Sequence, residues 1–197
     1  TTMAGFDLCT ECAPEYASPA DRRFHAETIA CHACGPKARL IRFDGKAYSF
    51  EQSSMLDDVD GALGLIQKGE IIAIKGLGGY QLTCDATKTD EVFRLRALKL
   101  RDRKPFALMA RDLDIIRRYC SITDEEALVL SSAAAPIVLL AANGPERLPD
   151  GIAPGLATLG FMLPTTPLHA LLLRRMNRPV VMTSGNLSNA PQATSDE

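Results

Sequence analysis

The sequence contains no tryptophan, four tyrosines and seven phenylalanines, an aromatic share of 6%. That leaves few π-faces for a nucleic-acid binder that works by stacking bases on aromatic side chains. It also lacks an excess of either charge, with 22 lysines and arginines against 24 acidic residues and a formal net charge of -2. No global field draws a polyanion to the chain, so any nucleotide site has to be local. No apolar run approaches the ~20 residues that span a bilayer. Nor is Thr1-Thr2-Met3-Ala4-Gly5 the basic-then-apolar start of a secretory signal. These absences point to a cytoplasmic chain with no membrane partner. What is present is ordinary globular material: 197 residues, 46% hydrophobic and 23% charged. That suffices for one packed domain with a small appendage and is unlike a disordered or collagen-like chain.

Four of the six cysteines form two pairs, Cys9/Cys12 and Cys31/Cys34, in the pattern C-x2-C-x18-C-x2-C. This is the spacing of a four-thiolate zinc site, because two intervening residues let a tight turn aim both sulfurs at one tetrahedral ion. Gly35-Pro36 supports the second turn. A disulfide pair or a thioredoxin-like redox motif would use the same residues. A cytosolic setting and the lack of a βαβ context favour the metal. His25 and His32 are alternative ligands, read here as ordinary polar residues. Cys84 and Cys120 stand among apolar neighbours and read as buried hydrophobes rather than nucleophiles.

Residues 1–40 show almost no apolar periodicity, so a metal has to replace a core there. From about Ile41 the pattern alternates between strand-like and helix-like segments, giving a small zinc finger over 1–40 and an α/β domain over 41–197. Residues 54–69 predict an amphipathic helix, with a Ser54-x-x-Asp57 start and a terminating Gly69. Ile71-Ile72-Ala73-Ile74 predicts a strand running into a glycine-rich loop, Lys75-Gly76-Leu77-Gly78-Gly79. Thr89 or Asp90 caps a helix to about Leu98, and Pro105 straightens the chain into Phe106-Ala107-Leu108-Met109. Thr123-x-x-Glu126 is a capping box opening a helix to about Ser131. Strands are expected over 136–142, 158–163 and 179–182, with a helix over 167–176 that has Pro167 near its start. Several strands are continuous apolar runs, which suits a mixed sheet covered by helices.

The densest charge feature is Arg94, Arg96, Lys99, Arg101, Arg103 and Lys104, six cations in eleven residues. On an extended segment Lys99 and Arg101 would share a face, and Pro105 favours extension. With Lys104 they can converge on a triphosphate, the arginine bidentate and the lysines as point charges. The competing reading is a solvated helix face. Ser184-Gly185-Asn186 follows a strand, where a hydroxyl and backbone amides can meet a ligand, although such turns are common. The Gly76–Gly79 loop fits neither the phosphate-loop nor the dinucleotide pattern, and Lys75 stands at its start.

These motifs resemble the hydrogenase maturation carbamoyltransferases, the HypF family, along nearly the whole chain. The first stretch runs from Cys9-x-x-Cys12 through Asp21-Arg22-Arg23-Phe24-His25-Ala26-Glu27 to Cys31-x-x-Cys34-Gly35-Pro36, similar to that family's second zinc finger. Then come Lys75-Gly76-Leu77-Gly78-Gly79-Tyr80, Arg96-x-x-Lys99-x-Arg101-x-x-Lys104-Pro105-Phe106-Ala107, Pro164-x-Thr166-Pro167-Leu168-His169 and Thr183-Ser184-Gly185-Asn186-Leu187-Ser188. The Lys99, Arg101, Lys104, Ser184 and Asn186 pattern also matches the wider YrdC/Sua5 family, which makes threonylcarbamoyl-adenylate. The resemblance implies a YrdC/Sua5-like mixed sheet around a nucleotide cavity. Lys99, Arg101 and Lys104 would bind phosphates there, while Ser184 and Asn186 would hold the nucleotide. Tyr80 keeps the place of a YrdC tyrosine, but Lys75 and Gly76 replace its proline and threonine, which favours the hydrogenase branch and a smaller acyl group.

By the same resemblance, carbamoyl phosphate is hydrolysed to carbamate by an acylphosphatase domain. The YrdC-like domain then adenylates carbamate with ATP and Mg²⁺, with Lys99 and Arg101 as catalytic cations. A further domain transfers the carbamoyl group to a maturation partner's C-terminal cysteine. The chain would be an internal portion holding the finger, with structural zinc on Cys9, Cys12, Cys31 and Cys34, and the adenylation step. Two other classes stay open: a double-stranded RNA binder, disfavoured by charge and composition, and a zinc-organised docking module without turnover.

Overall fold

The computed structural model describes residues 7–26, 29–46, 57–187 and 190–195. Ser54, Glu27 and Ser188 of the sequence motifs lie outside them. The chain divides into two compact units, Thr1–Arg39 and Leu40–Glu197.

In the first unit one short helix, α1 (Cys12–Ala17), begins at a cysteine. Cys12 is the one buried residue among the described residues of this unit, so no apolar core holds it.

The second unit contains α2 (Asp58–Gln67), β1 (Ile72–Gly76), β2 (Gly79–Asp85), α3 (Thr89–Leu98), β3 (Ala107–Met109), α4 (Leu113–Arg117), α5 (Asp124–Leu130), β4 (Val138–Ala141), β5 (Thr158–Met162), α6 (Pro167–Leu173) and β6 (Val180–Ser184). The strands form one mixed sheet in the order β1-β2-β6-β3-β5-β4. β3 and β5 run parallel and every other pairing is antiparallel. This is the mixed α/β architecture that the sequence predicts.

The period of two along each strand separates two cores. Cys84, Leu108, Phe161 and Val181 face a cluster completed by Val92 and Leu95 of α3, Ile115 and Ile116 of α4, and Leu130 of α5. Their neighbours Met109, Met162, Val180 and Met182 face the opposite cluster, built with Leu63 and Ile66 of α2 and Leu172 and Leu173 of α6. Both faces of the central strands are therefore dry, which is why β5 and β6 read as unbroken apolar runs. Cys84 and Cys120 lie inside the first core, where burial pushes each thiol up to about 12, as expected of inert hydrophobes. Among the described residues no helix is long and apolar enough to cross a membrane.

Local signals explain most of the helix ends. Asp57 caps α2 by accepting from Asp60 N. Thr123 and Glu126 form both halves of a capping box on α5. Thr166 accepts from His169 N ahead of Pro167 on α6. Two expectations need correction. The residue before α3 is Lys88, which makes no side-chain cap, so neither Thr89 nor Asp90 fills that role. The glycine-rich loop is the tight turn of a hairpin, with Gly76 paired to Gly79 and a strand not expected from the sequence, β2, following at once.

Candidate functional site

The four thiolates gather although 18 residues separate the pairs. Ala13 N donates to Cys9 O at 2.9 Å and Gly35 N to Cys31 O at 2.6 Å, closing one turn at each C-x-x-C. A Cβ at Gly35 would lie 2.7 Å from the Cys31 carbonyl, so the second turn needs glycine. Cys9 and Cys31 Sγ are 3.7 Å apart, Cys31 and Cys34 Sγ 3.9 Å, and all four sulfurs lie within 4.8 Å of one another. Tetrahedral ligands at ~2.3 Å from zinc stand about 3.8 Å apart, so the set fits a four-thiolate structural ion with no open position. Backbone hydrogen bonds from Cys31 and Cys9 lower the Cys34 thiol to about 6. His25 is not part of the set; it stacks on Tyr16 and Phe24.

The second site forms at the end of β6. α3 ends in a complete Schellman motif: Leu100 N donates to Ala97 O at 3.2 Å and Arg101 N to Arg96 O at 3.1 Å. α2 closes the same way through Gly69 at φ 92°, but α3 uses Leu100 at φ 49°, a conformation a leucine adopts only under constraint. This turn swings the chain so that Lys99, the helix cap, and Arg101 both reach β6. They converge by a left-handed residue between them, not through the extended segment that Pro105 suggested.

Lys99 is 2% exposed. Its Nζ donates to the carbonyl of Ser184, to Asn186 O at 2.8 Å and to Asn186 Oδ1 at 3.2 Å. Ser184 Oγ donates to the same Oδ1 at 2.5 Å. Arg101 Nη1 donates to Thr183 Oγ1 at 3.0 Å, and its other nitrogens hold Lys104 O and Pro105 O. Burial and then repulsion by Arg101 and Lys104 hold the Lys99 ammonium below its ordinary pKa. Burial and then repulsion by Arg96 do the same to Arg101. An anion brought to this point relieves that repulsion.

Tyr80 and Lys75 are cross-strand partners on β2 and β1, with Lys75 Nζ 5.5 Å from the Tyr80 ring centroid. The Tyr80 carbonyl accepts from Gly185 N at 2.6 Å and from Gln192 Nε2 at 2.7 Å. Hence Lys75, Tyr80, Lys99, Arg101, Ser184 and Asn186 all lie around one end of the sheet. Lys104 is exposed and lines a neighbouring open cleft of about 600 Å³ with Arg103, Pro105, Pro154, Gly155 and Leu156. Gly185 fits because it has no side chain: a Cβ there would lie 2.8 Å from Tyr80 O and 2.9 Å from Tyr80 Cβ. Gly185→Ala is expected to cost about 1–3 kcal/mol by overpacking. A urea midpoint unchanged from the parent chain would show that the loop yields without strain.

Sequence reasoning passed over three residues here. Thr183 receives Arg101, Arg96 underlies the loop, and His169 of α6 is 1% exposed. Its Nε2 meets Gln81 Oε1 at 3.0 Å and its Nδ1 meets Thr165 Oγ1 at 3.0 Å. Gln81 pairs in register with Ser184. All three stand inside motifs visible in the sequence, but only packing shows what they touch. Burial lowers the His169 pKa. The unfolded chain therefore takes up a proton near pH ~6.5 that the folded one refuses, and this contribution to stability is present above that pH and lost as pH falls below it. His169→Gln should flatten the decline in urea midpoint between pH 7 and pH 5.5, and an equal decline in both proteins would remove His169 from the account.

Comparison with known proteins gives the family of the chain. The profile of the Sua5/YciO/YrdC family, described as telomere recombination, matches residues 64–197, and the HypF finger profile matches residues 8–41. The chain therefore belongs to the Sua5/YciO/YrdC family, in the form that carries a HypF finger. It is 49% identical to the carbamoyltransferase HypF of Rhodobacter capsulatus over 100% of this chain and 25% of that protein. It is 45% identical to that of Synechocystis sp. over 94% of this chain and 30% of the relative. The chain thus spans a quarter to a third of the length of these relatives. Human threonylcarbamoyl-AMP synthase is 27% identical over 78% of this chain and 57% of its own. Among solved structures, full-length HypF in a phosphate- and nucleotide-bound form superposes with TM-score 0.82 at 41% identity, covering 100% of this chain and 25% of that one. Escherichia coli YciO, at 24% identity and TM-score 0.59 over 70% of this chain and 68% of its own, shares the fold.

Proposed function

We propose that the 40–197 unit binds ATP at the end of β6 and uses it to adenylate carbamate, forming carbamoyl-adenylate for onward transfer during hydrogenase maturation. The observation that carries the reading is the convergence of two cations on the end of β6, buried Lys99 on Ser184 and Asn186 and partly buried Arg101 on Thr183. Kinship with the carbamoyltransferases and with the threonylcarbamoyl-AMP synthases supports it, since both names describe carbamoyl chemistry.

In the step envisaged, a carbamate oxygen attacks the α-phosphorus of ATP. A new P–O bond forms, the bond to the α–β bridging oxygen breaks, and pyrophosphate leaves with that electron pair. Charge grows on the bridging and leaving oxygens, where Lys99, Arg101 and Lys104 stabilise it electrostatically. Mg²⁺ arrives with the nucleotide, because the four cysteines are the one metal-capable cluster among the described residues. The finger's zinc is structural, and transfer of the carbamoyl group to an acceptor's C-terminal cysteine belongs to the longer relatives.

Exchange of labelled pyrophosphate into ATP tests the proposal. Exchange that depends on carbamate, supplied as bicarbonate with ammonium, is the expected result. Exchange with threonine and bicarbonate instead, or none with a chain that binds ATP, would contradict it.

A further inference from the structure

Arg96 is a buried cation, 6% exposed, with no carboxylate at ion-pair distance among the described residues. Its guanidinium serves four backbone carbonyls. Nε donates to Gly151 O at 2.5 Å, Nη1 to Arg101 O at 2.7 Å and Asp102 O at 3.1 Å, and Nη2 to Lys104 O at 3.2 Å. Three of these belong to the loop that bears Arg101 and Lys104. Arg101 Nε shares the Lys104 carbonyl at 3.0 Å, and both guanidinium carbons lie 4.8 Å from the Phe106 ring centroid. The Arg96 carbonyl also closes the turn by accepting Arg101 N.

Burying a cation against carbonyl dipoles is unfavourable, the Asp102 carboxylate attracts it only from beyond ion-pair distance, and here the cation also repels Arg101. A lysine or a neutral donor would satisfy fewer of these oxygens, because only guanidinium presents five N–H groups in a rigid plane. The arrangement makes sense if a fixed loop and a raised positive potential are both needed at this point.

We propose that Arg96 is the positioning residue of the phosphate site: without touching ligand, it fixes the 101–105 loop so that Arg101 faces the end of β6. This rests on the ATP reading above. It differs from a general stabilising role in predicting that the contribution of Arg101 vanishes when Arg96 is lost.

The test is a double-mutant cycle on the full chain, zinc-loaded, titrated calorimetrically with Mg-ATP: parent, Arg96→Met, Arg101→Ala and the double variant. Amide hydrogen exchange is read on the same proteins. Arg96→Met is expected to raise Kd at least tenfold and to speed exchange in residues 100–106 at least tenfold, leaving Val180–Met182 within twofold. Arg101→Ala should raise Kd at least tenfold in the parent and less than threefold in the Arg96→Met background. Arg96→Lys, which keeps the charge and loses the fork, should fall between parent and Arg96→Met. If Arg96→Met does not fold, Arg96→Lys takes its place in the cycle. Additive losses, or an unchanged Kd in a folded Arg96 variant, would overturn the proposal. A parent chain that binds no ATP overturns the nucleotide reading itself, and unchanged exchange in residues 100–106 would overturn the positioning role even then.

Discussion

Lys99→Ala is expected to weaken ATP binding by about 1.5–3 kcal/mol, the range for hydrogen bonds to charged groups, or roughly tenfold to a hundredfold in Kd. Arg101→Ala should do the same. The two losses have different origins. Lys99 ties together Ser184 O, Asn186 O and Asn186 Oδ1, so its removal both deletes a cation and releases the loop after β6. Arg101 reaches Thr183 instead, and its planar fork is what a phosphate meets bidentately. Arg101→Lys should therefore recover little, whereas a purely coulombic site would accept it. Calorimetric titration of variants that melt within a few degrees of the parent decides the matter. Unchanged curves for both alanine variants would remove these cations from the nucleotide site.

Removing zinc should have an effect as large, confined to the other unit. The described residues of 7–39 bury one side chain, Cys12, and that side chain is itself a ligand candidate. Stacking of Tyr16, Phe24 and His25 and the exposed Arg23–Glu15 ion pair at 2.8 Å are too little to order a chain of this length. The metal therefore supplies the folding free energy that a core supplies elsewhere. Chelation, or Cys12→Ser, should collapse the amide dispersion of residues 7–39 while the sheet of 40–197 keeps its spectrum. About one zinc per chain is expected by elemental analysis. A dispersed spectrum for this unit after chelation would mean that something other than zinc holds it.

The cysteine spacing and the helix starts at Thr123 and Pro167 were legible because each is a local signal with a local cause. β2 was not. Its residues Gln81, Thr83 and Asp85 put polar groups on a face that the tertiary structure buries, with Gln81 against His169 and Asp85 against Arg178 at 2.5 Å. Polarity at those positions hid a strand that pairs with β1 next to it in sequence and with β6 about a hundred residues away. α4 was missed because five residues carry too little periodicity to register. In the candidate site, residue identities followed from a resemblance, but the manner of convergence did not. Nothing in the sequence marks Leu100 for a left-handed turn, a place where α2 uses Gly69. Arg96 was visible as a charge in a basic run and as the first residue of a family motif, but without a role, since four carbonyl partners are a property of the folded loop.

A nucleotide site at the end of β6 is tested most directly by titrating the zinc-loaded chain with Mg-ATP at physiological salt, observed by amide chemical shifts. Saturable one-to-one binding with the largest shifts at Lys99, Arg101 and residues 184–186 is the predicted result. Absence of saturable binding, or shifts gathered elsewhere on the fold, would contradict it.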